Sequence, residues 1–293
     1  MVAKSDSDKV LLITGAASGI GAATAKLAVE MGHRVVVADI NEAGAASVAA
    51  SLGPAAIGLK LDICSPEQWE FALDETYKRF QRLDVLVNNA AVVHTGSTRE
   101  VPLALHRQTM EVNVIGPLIG MRAVLPRFRA AKSGHIATVC SMTAFLPFPG
   151  IASYAASKHA LRALHLAVAM EERDSSIAFT IVHPSSTETP MLEEEARTGV
   201  ALAFAVPSWR PEDVAKIIMD AIKRKKVEVC IPSKRGRVVK AIGANPRRLL
   251  ETVERNQKIG MENLAIRRQS VGQAQADTKQ SATSAGDELN SGR

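Results

Sequence analysis

Aromatic side chains are scarce in this chain of 293 residues: Phe, Trp and Tyr together make up 4%, with two tryptophans and two tyrosines. Between Lys223 and Arg268 there are none, which removes the stacking platforms that single-stranded nucleic acid uses. Cysteine is rare as well. Cys64, Cys140 and Cys230 lie far apart, in or beside apolar strand-like runs, and read as buried thiols of a reducing compartment, not as a disulfide framework. Apolar runs are strand-sized and fall short of the ~18–20 residues of a membrane span. The opening MVAKSDSDKV has no apolar signal segment, so a cytoplasmic location is expected. The histidines show no HExxH or paired-ligand spacing, and His159 and His165 stand six apart, a poor helical pair. No metal site is expected.

What is present is an ordinary globular composition, 46% hydrophobic and 23% charged, with a net charge of +6. The charge is uneven. Lys223–Arg268 holds 14 basic and 4 acidic residues, a local +10 that leaves −4 for the remainder. Nucleic acid is therefore not an expected partner of the main body. The basic segment could rest on an anionic membrane surface, but a helix packed on the core or on a neighbouring subunit is the preferred reading.

Short β-branched runs alternate with helical stretches. Strands are predicted at 10–14, 33–39, 55–61, 84–87, 135–140, 177–183 and 227–231, with helices between them, including 66–80 and 211–223. Nearly continuous apolar strands alternating with helices predict a doubly wound α/β domain, a seven-stranded parallel sheet covered on both faces, spanning residues 1–232. Residues 233–268 read as a basic helical extension, with Asn245 capping a helix that begins at Pro246. From Gln269 to Arg293 a Gln/Ser/Gly-rich tail predicts disorder.

TGAASGIGAATA, Thr14 to Ala25, follows the first strand and opens the first helix. Gly15, Gly19 and Gly21 allow a sharp turn whose amides, with those of Ser18 and Ile20, can approach a pyrophosphate at a helix N-terminus. Asp39 stands 18 residues after Gly21, at the end of the second strand, where a carboxylate can accept both ribose hydroxyls of adenosine. A nucleotide site is the expectation. Tyr154 and Lys158 stand four apart in a helix-forming stretch and so share one helix face.

These motifs, together with Asn88 to Ala91 (NNAA), Asn113 in NVIG and Ser141 placed 13 residues before Tyr154, resemble the short-chain dehydrogenase/reductase family over residues 8–232. The resemblance implies a Rossmann-like fold and an oxidoreductase interconverting a secondary alcohol and a ketone. It implies Ser141, Tyr154 and Lys158 as catalytic residues and Asn113 as holder of a proton-relay water. It implies further cofactor contacts from Asp62, Ile63, Asn89, Ala90, Pro184, Thr187 and Thr189, besides Tyr154 and Lys158. A dimer or tetramer is implied too. Two positions depart from the family: Ala91 and Ser185 replace glycines.

A free tyrosine titrates near 10, and moving it to neutrality needs roughly 4 kcal/mol, which Lys158 and a cationic nicotinamide could supply. NAD is expected over NADP, because Asp39 would repel a 2′-phosphate while Ser18 and Ile40 offer no cation. The segment from Thr189 to Trp209 is implied as the substrate lid, and its Met191, Leu192, Val200, Leu202, Phe204 and Val206 point to a lipophilic substrate. Glu193–Glu195, in a loop predicted after Thr189, reads as a solvated face. The alternatives are an NADP-dependent carbonyl reductase, a non-catalytic nucleotide sensor or scaffold on this fold, and a methyltransferase, which would leave the Tyr/Lys pair unexplained.

Overall fold

A computed structural model describes residues 8–290, and side-chain surroundings through Ser270. The chain runs β1 (Val10–Thr14), α1 (Gly19–Glu30), β2 (Arg34–Asp39), α2 (Glu42–Leu52), β3 (Ala56–Lys60), α3 (Pro66–Phe80) and β4 (Val85–Asn88). It continues through α4 (Leu103–Met110), α5 (Gly116–Ala131), β5 (Gly134–Val139), α6 (Ala152–Glu171), β6 (Ile177–Pro184) and α7 (Pro190–Thr198). It closes with α8 (Pro211–Lys223), β7 (Glu228–Ile231), α9 (Ser233–Gly243) and α10 (Pro246–Asn290).

The strands form one parallel sheet in the order β3-β2-β1-β4-β5-β6-β7. Successive side chains of a strand point to opposite faces, and both faces of this sheet are dry. Leu11, Ile13, Val35 and Val37 pack on one side with Ala25 and Ala28 of α1 and Ile218 of α8. Val10, Leu12 and Val36 pack on the other with Trp69 of α3 and Phe128 of α5. Each buried Val, Leu, Ile or Phe among them contributes about 1.5–3 kcal/mol. Helix starts follow local chemistry: the Ser65 hydroxyl accepts from Gln68 N–H ahead of Pro66, and Asn245 Oδ1 accepts from Arg248 N–H ahead of Pro246.

After β3 the chain returns to the other side of β1, so the strand order reverses between β1 and β4. In doubly wound sheets the crevice beyond the strand ends at such a reversal holds the ligand. Here that crevice is formed by the glycine turn and the segment after Asn88.

Where the sequence predicts a loop after Thr189, the chain forms α7. Thr189 Oγ1 caps it by accepting from Leu192 N–H at 3.4 Å, and Pro190 occupies its first position. Helix α10 crosses back over this lid. Gly260 makes the approach possible, since a Cβ there would lie 2.1 Å from the Ala201 carbonyl oxygen. Leu264 is buried with Tyr154, Leu192 and Phe204, and Arg267 pairs with Glu188 at 2.7 Å. The backbone of α10 is helical through Asn290, where the sequence predicts a disordered tail from Gln269. Side chains from 271 onward, and residues 291–293, lie outside the described residues. No helix among the described residues is long and apolar enough to cross a membrane.

Candidate active site

The turn after β1 is held from two sides. Asn89 Nδ2 donates to the carbonyls of Thr14 (2.8 Å) and Gly15 (3.0 Å). Thr14 Oγ1 accepts from the amides of Asn89 (3.0 Å) and Ala90 (3.1 Å). Asn89 and Ala90 therefore build the cradle from below. Gly21 is packed so tightly that a Cβ would sit 2.3 Å from Gly15 O and 2.6 Å from Asn89 Nδ2. Ser18 precedes α1 without a side-chain cap bond. The Asp39 carboxylate lies beside the turn, accepting from Ala17 N–H (3.0 Å) and Asn41 N–H (2.9 Å). Arg34 is engaged elsewhere, with Asp8 at 3.0 Å.

Asp62 is tied into the following turn, its Oδ1 accepting from Cys64 N–H at 2.9 Å. The Ile63 side chain is buried in the core, so only the main chain of that residue is available to a ligand. The cradle, a carboxylate at the strand-two end and Thr189 facing Gly19 fit a nicotinamide adenine dinucleotide: a Cβ on Gly19 would stand 3.0 Å from Thr189 Cγ2.

Ile20, Ser141, Tyr154, Pro184, Thr187 and Thr189 line one cleft. Tyr154 is buried on α6, and Lys158 beneath it is 2% exposed. Lys158 Nζ stands 5.5 Å from the Tyr154 ring centroid and donates to Val139 O at 3.4 Å. Burial pulls the Lys158 pKa down. Without a nicotinamide beside it, the phenol is under an upward push. Burial, then the Glu195 carboxyl and Cys140, push Tyr154 above its usual value, and the hydroxyl of Ser141 acts in the opposite direction.

Asn113 sits in a π-helical turn, Glu111–Ile115, between α4 and α5; such turns mark functional sites. Its amide is fully engaged: Oδ1 accepts from Val92 N–H (2.8 Å), and Nδ2 donates to Val92 O (2.9 Å) and Ser157 Oγ (3.0 Å). Ser157 in turn donates to Tyr154 O at 2.7 Å. Asn113 thus holds both the loop after β4 and the helix that carries Tyr154.

Four cleft or cleft-side residues escape the sequence analysis. Glu195 is turned into the cleft, not to solvent, and desolvation pushes its carboxyl up to about 7. Thr143 and Arg235 line the same cleft. His183 anchors the Ser141 main chain, with Nδ1 3.0 Å from Ser141 O and Nε2 3.0 Å from Glu228 Oε1. Met191, Leu192, Leu202 and Val206 of the lid line the cleft, whereas Val200 and Phe204 are buried behind it. The three cysteines are free thiols, Cys140 buried and the others half-buried.

The sequence profile of the short chain dehydrogenase family matches residues 9–199. A 3-alpha-(or 20-beta)-hydroxysteroid dehydrogenase of Mycobacterium bovis is 32% identical over 206 residues, 70% of this chain and 74% of that protein. A cyclohexanol dehydrogenase of an Acinetobacter species is 33% identical over 217 residues, 72% of this chain and 86% of that protein. The crystal structure of a 3-ketoacyl-(acyl-carrier-protein) reductase from Brucella melitensis, complexed with NADH, superposes with a TM-score of 0.70 at 29% identity, covering 76% of this chain and 95% of that one. The chain belongs to the short chain dehydrogenase family, oxidoreductases acting on CH–OH groups.

Proposed function

We propose that the protein is an NAD-linked dehydrogenase that interconverts a lipophilic, ring-borne secondary alcohol and its ketone. The observation that carries this reading is the placement of Ser141 and Tyr154, with Lys158 directly beneath, where the glycine turn meets an apolar cleft. Relatives named for a hydroxysteroid and for cyclohexanol support a cyclic substrate.

In the oxidising direction the Ser141 hydroxyl holds the substrate oxygen and stabilises the charge that develops on it. Tyr154 takes the hydroxyl proton as general base. The glycine turn, Asp39 and Thr189 would hold NAD⁺, which would supply the hydride acceptor and a positive charge beside the phenol. Lys158 contributes the second positive charge, at the ring it underlies. Burial alone opposes both a phenolate and an ammonium, and forming the two as a pair offsets part of that cost. Both N–H donors of the Asn113 amide are occupied, so Asn113 is a positioning residue. Main-chain carbonyls loosened by its π-turn would accept from a relay water.

The cradle would hold the pyrophosphate, and Asp39 the adenosine ribose. A screen of NAD⁺ reduction over cyclohexanols, hydroxysteroids, fatty alcohols and sugars tests the reading. Turnover is expected with the cyclic alcohols, and turnover of sugars alone would contradict it.

A further inference from the structure

We infer that Arg235, supplied by the C-terminal extension, receives a carboxylate on the substrate, so that the enzyme acts on hydroxy or keto acids with an apolar body. This rests on the reading of the cleft as the substrate site.

The family profile ends at residue 199, yet α9 brings Arg235 and Val239 into the cleft beside Ser141 and Tyr154. Arg235 is half-buried there, and among the described residues its guanidinium has no hydrogen-bond or ion-pair partner. Lys234, Arg237, Arg248, Arg255 and Lys258 of the extension are exposed to water, and three further cations are engaged. Lys240 bonds Glu228, Arg267 bonds Glu188 and Glu193, and Arg268 donates to Ala196 O at 2.6 Å. Partial desolvation without a partner costs free energy and lowers the Arg235 pKa, but a guanidinium stays protonated in proteins. An anion entering the cleft would relieve that cost.

A second group in the same cleft also lacks a partner. Thr143 is 6% exposed, and its Oγ1 has no hydrogen-bond partner among the described residues. Buried hydroxyls are ordinarily satisfied. A guanidinium fork and a hydroxyl facing one cleft are donors of the kind that match a carboxylate. The remaining lid walls, Met191, Leu202 and Val206, are apolar. Glu195 is the carboxyl present in the cleft. Among the described residues no hydrogen bond or ion pair joins it to Arg235. The substrate's hydroxyl then meets Ser141 and Tyr154 while its acid meets Arg235.

The test is calorimetric titration of the full chain with cyclohexanecarboxylate and with the neutral cyclohexanecarboxamide. Wild type, Arg235→Leu and Arg235→Lys are compared, and a melting curve for each variant reports its folding. The acid is expected to bind at least tenfold tighter than the amide. Arg235→Leu should reduce that ratio below threefold, and Arg235→Lys should keep part of it. Equal binding of acid and amide, no binding of either, or a ratio unaffected by Arg235→Leu would overturn the inference. A tenfold loss of NADH affinity in Arg235→Leu would also overturn it, by assigning the cation to the cofactor. Failure of the dehydrogenase reading shows separately, as no NADH from any alcohol while acid-selective binding persists.

Discussion

Glu195 and Tyr154 face one cleft, and after burial itself the Glu195 carboxyl is the main influence that raises the phenol's pKa. Glu195→Gln removes that charge, and the pH profile of alcohol oxidation should move to lower pH. An unchanged profile would show that the carboxyl does not act on the base.

The same carboxyl has a stability signature. Its folded pKa, about 7, lies above the ordinary 4.5, so the folded state gains nothing from it below pH 4.5 and loses stability as pH rises to about 7. With the group half-buried and partly screened, the loss above pH 7 is of order 1–3 kcal/mol. Glu195→Gln should therefore raise the melting temperature at pH 8 and leave it nearly unchanged at pH 4.

A half-buried pair, His183 and Glu228, supports the Ser141 main chain from behind. Burial alone would lower the His183 pKa, but the neighbouring Cys140, Glu228 and Ser141 carbonyl outweigh it and raise the value. The Glu228 carboxyl is held well below the usual range, chiefly by the bond from His183. Both His183 nitrogens face acceptors, as an imidazolium requires. Glu228→Gln removes the carboxylate that His183, Arg162 and Lys240 share and should cost roughly 3 kcal/mol at about pH 5, below the ordinary histidine value. Because a raised histidine stabilises below its unfolded pKa and ceases to as pH passes its folded pKa, the penalty should shrink at high pH. Urea unfolding at several pH values measures it.

Gly260→Ala discriminates for the docking of α10. In a free helix the change would stabilise by about 1 kcal/mol. Against the Ala201 carbonyl oxygen, 2.1 Å from the new Cβ, it should instead cost about 1–3 kcal/mol and raise KM by loosening the lid. Stabilisation would place α10 off the lid.

Most of the framework is legible in the sequence because strands buried on both faces leave continuous apolar runs, and because Ser65-Pro66 and Asn245-Pro246 mark helix starts locally. The lid helix has a local mark too, Thr189-Pro190, although the segment's sequence predicts a loop. Glu193 and Glu195 look alike in sequence. On α7, Leu192, Glu195 and Ala196 share one face, which turns inward, while Glu193 remains exposed and pairs with Arg267. Arg235 could not be placed, because its position depends on how the extension docks, and that depends on contacts such as Leu264 with the lid. The upward push on Tyr154 is equally invisible in sequence, since desolvation belongs to the packed state.

Asp39 sets the cofactor prediction. Its carboxylate sits at the turn, and the neighbouring Ile40 is 65% exposed and uncharged. Repulsion between a carboxylate and a 2′-phosphate at ~4 Å is of order 4 kcal/mol at an effective dielectric near 20, and a third of that is about tenfold. kcat/KM should be at least tenfold higher with NAD than with NADP, and Asp39→Ala with Ile40→Arg should narrow or reverse the ratio. Equal use of both cofactors by the wild type would contradict the assignment.

The central claim is that Tyr154 carries the transferable proton at the reacting oxygen. Tyr154→Phe keeps the ring over Lys158 and deletes only the hydroxyl, so the most direct measurement is kcat of this variant on an alcohol the wild type oxidises, with NADH binding followed by fluorescence. Cofactor binding should persist while turnover falls by more than a hundredfold, the scale of a lost acid–base group. Retention of more than about a tenth of the wild-type kcat would show that another group moves the proton.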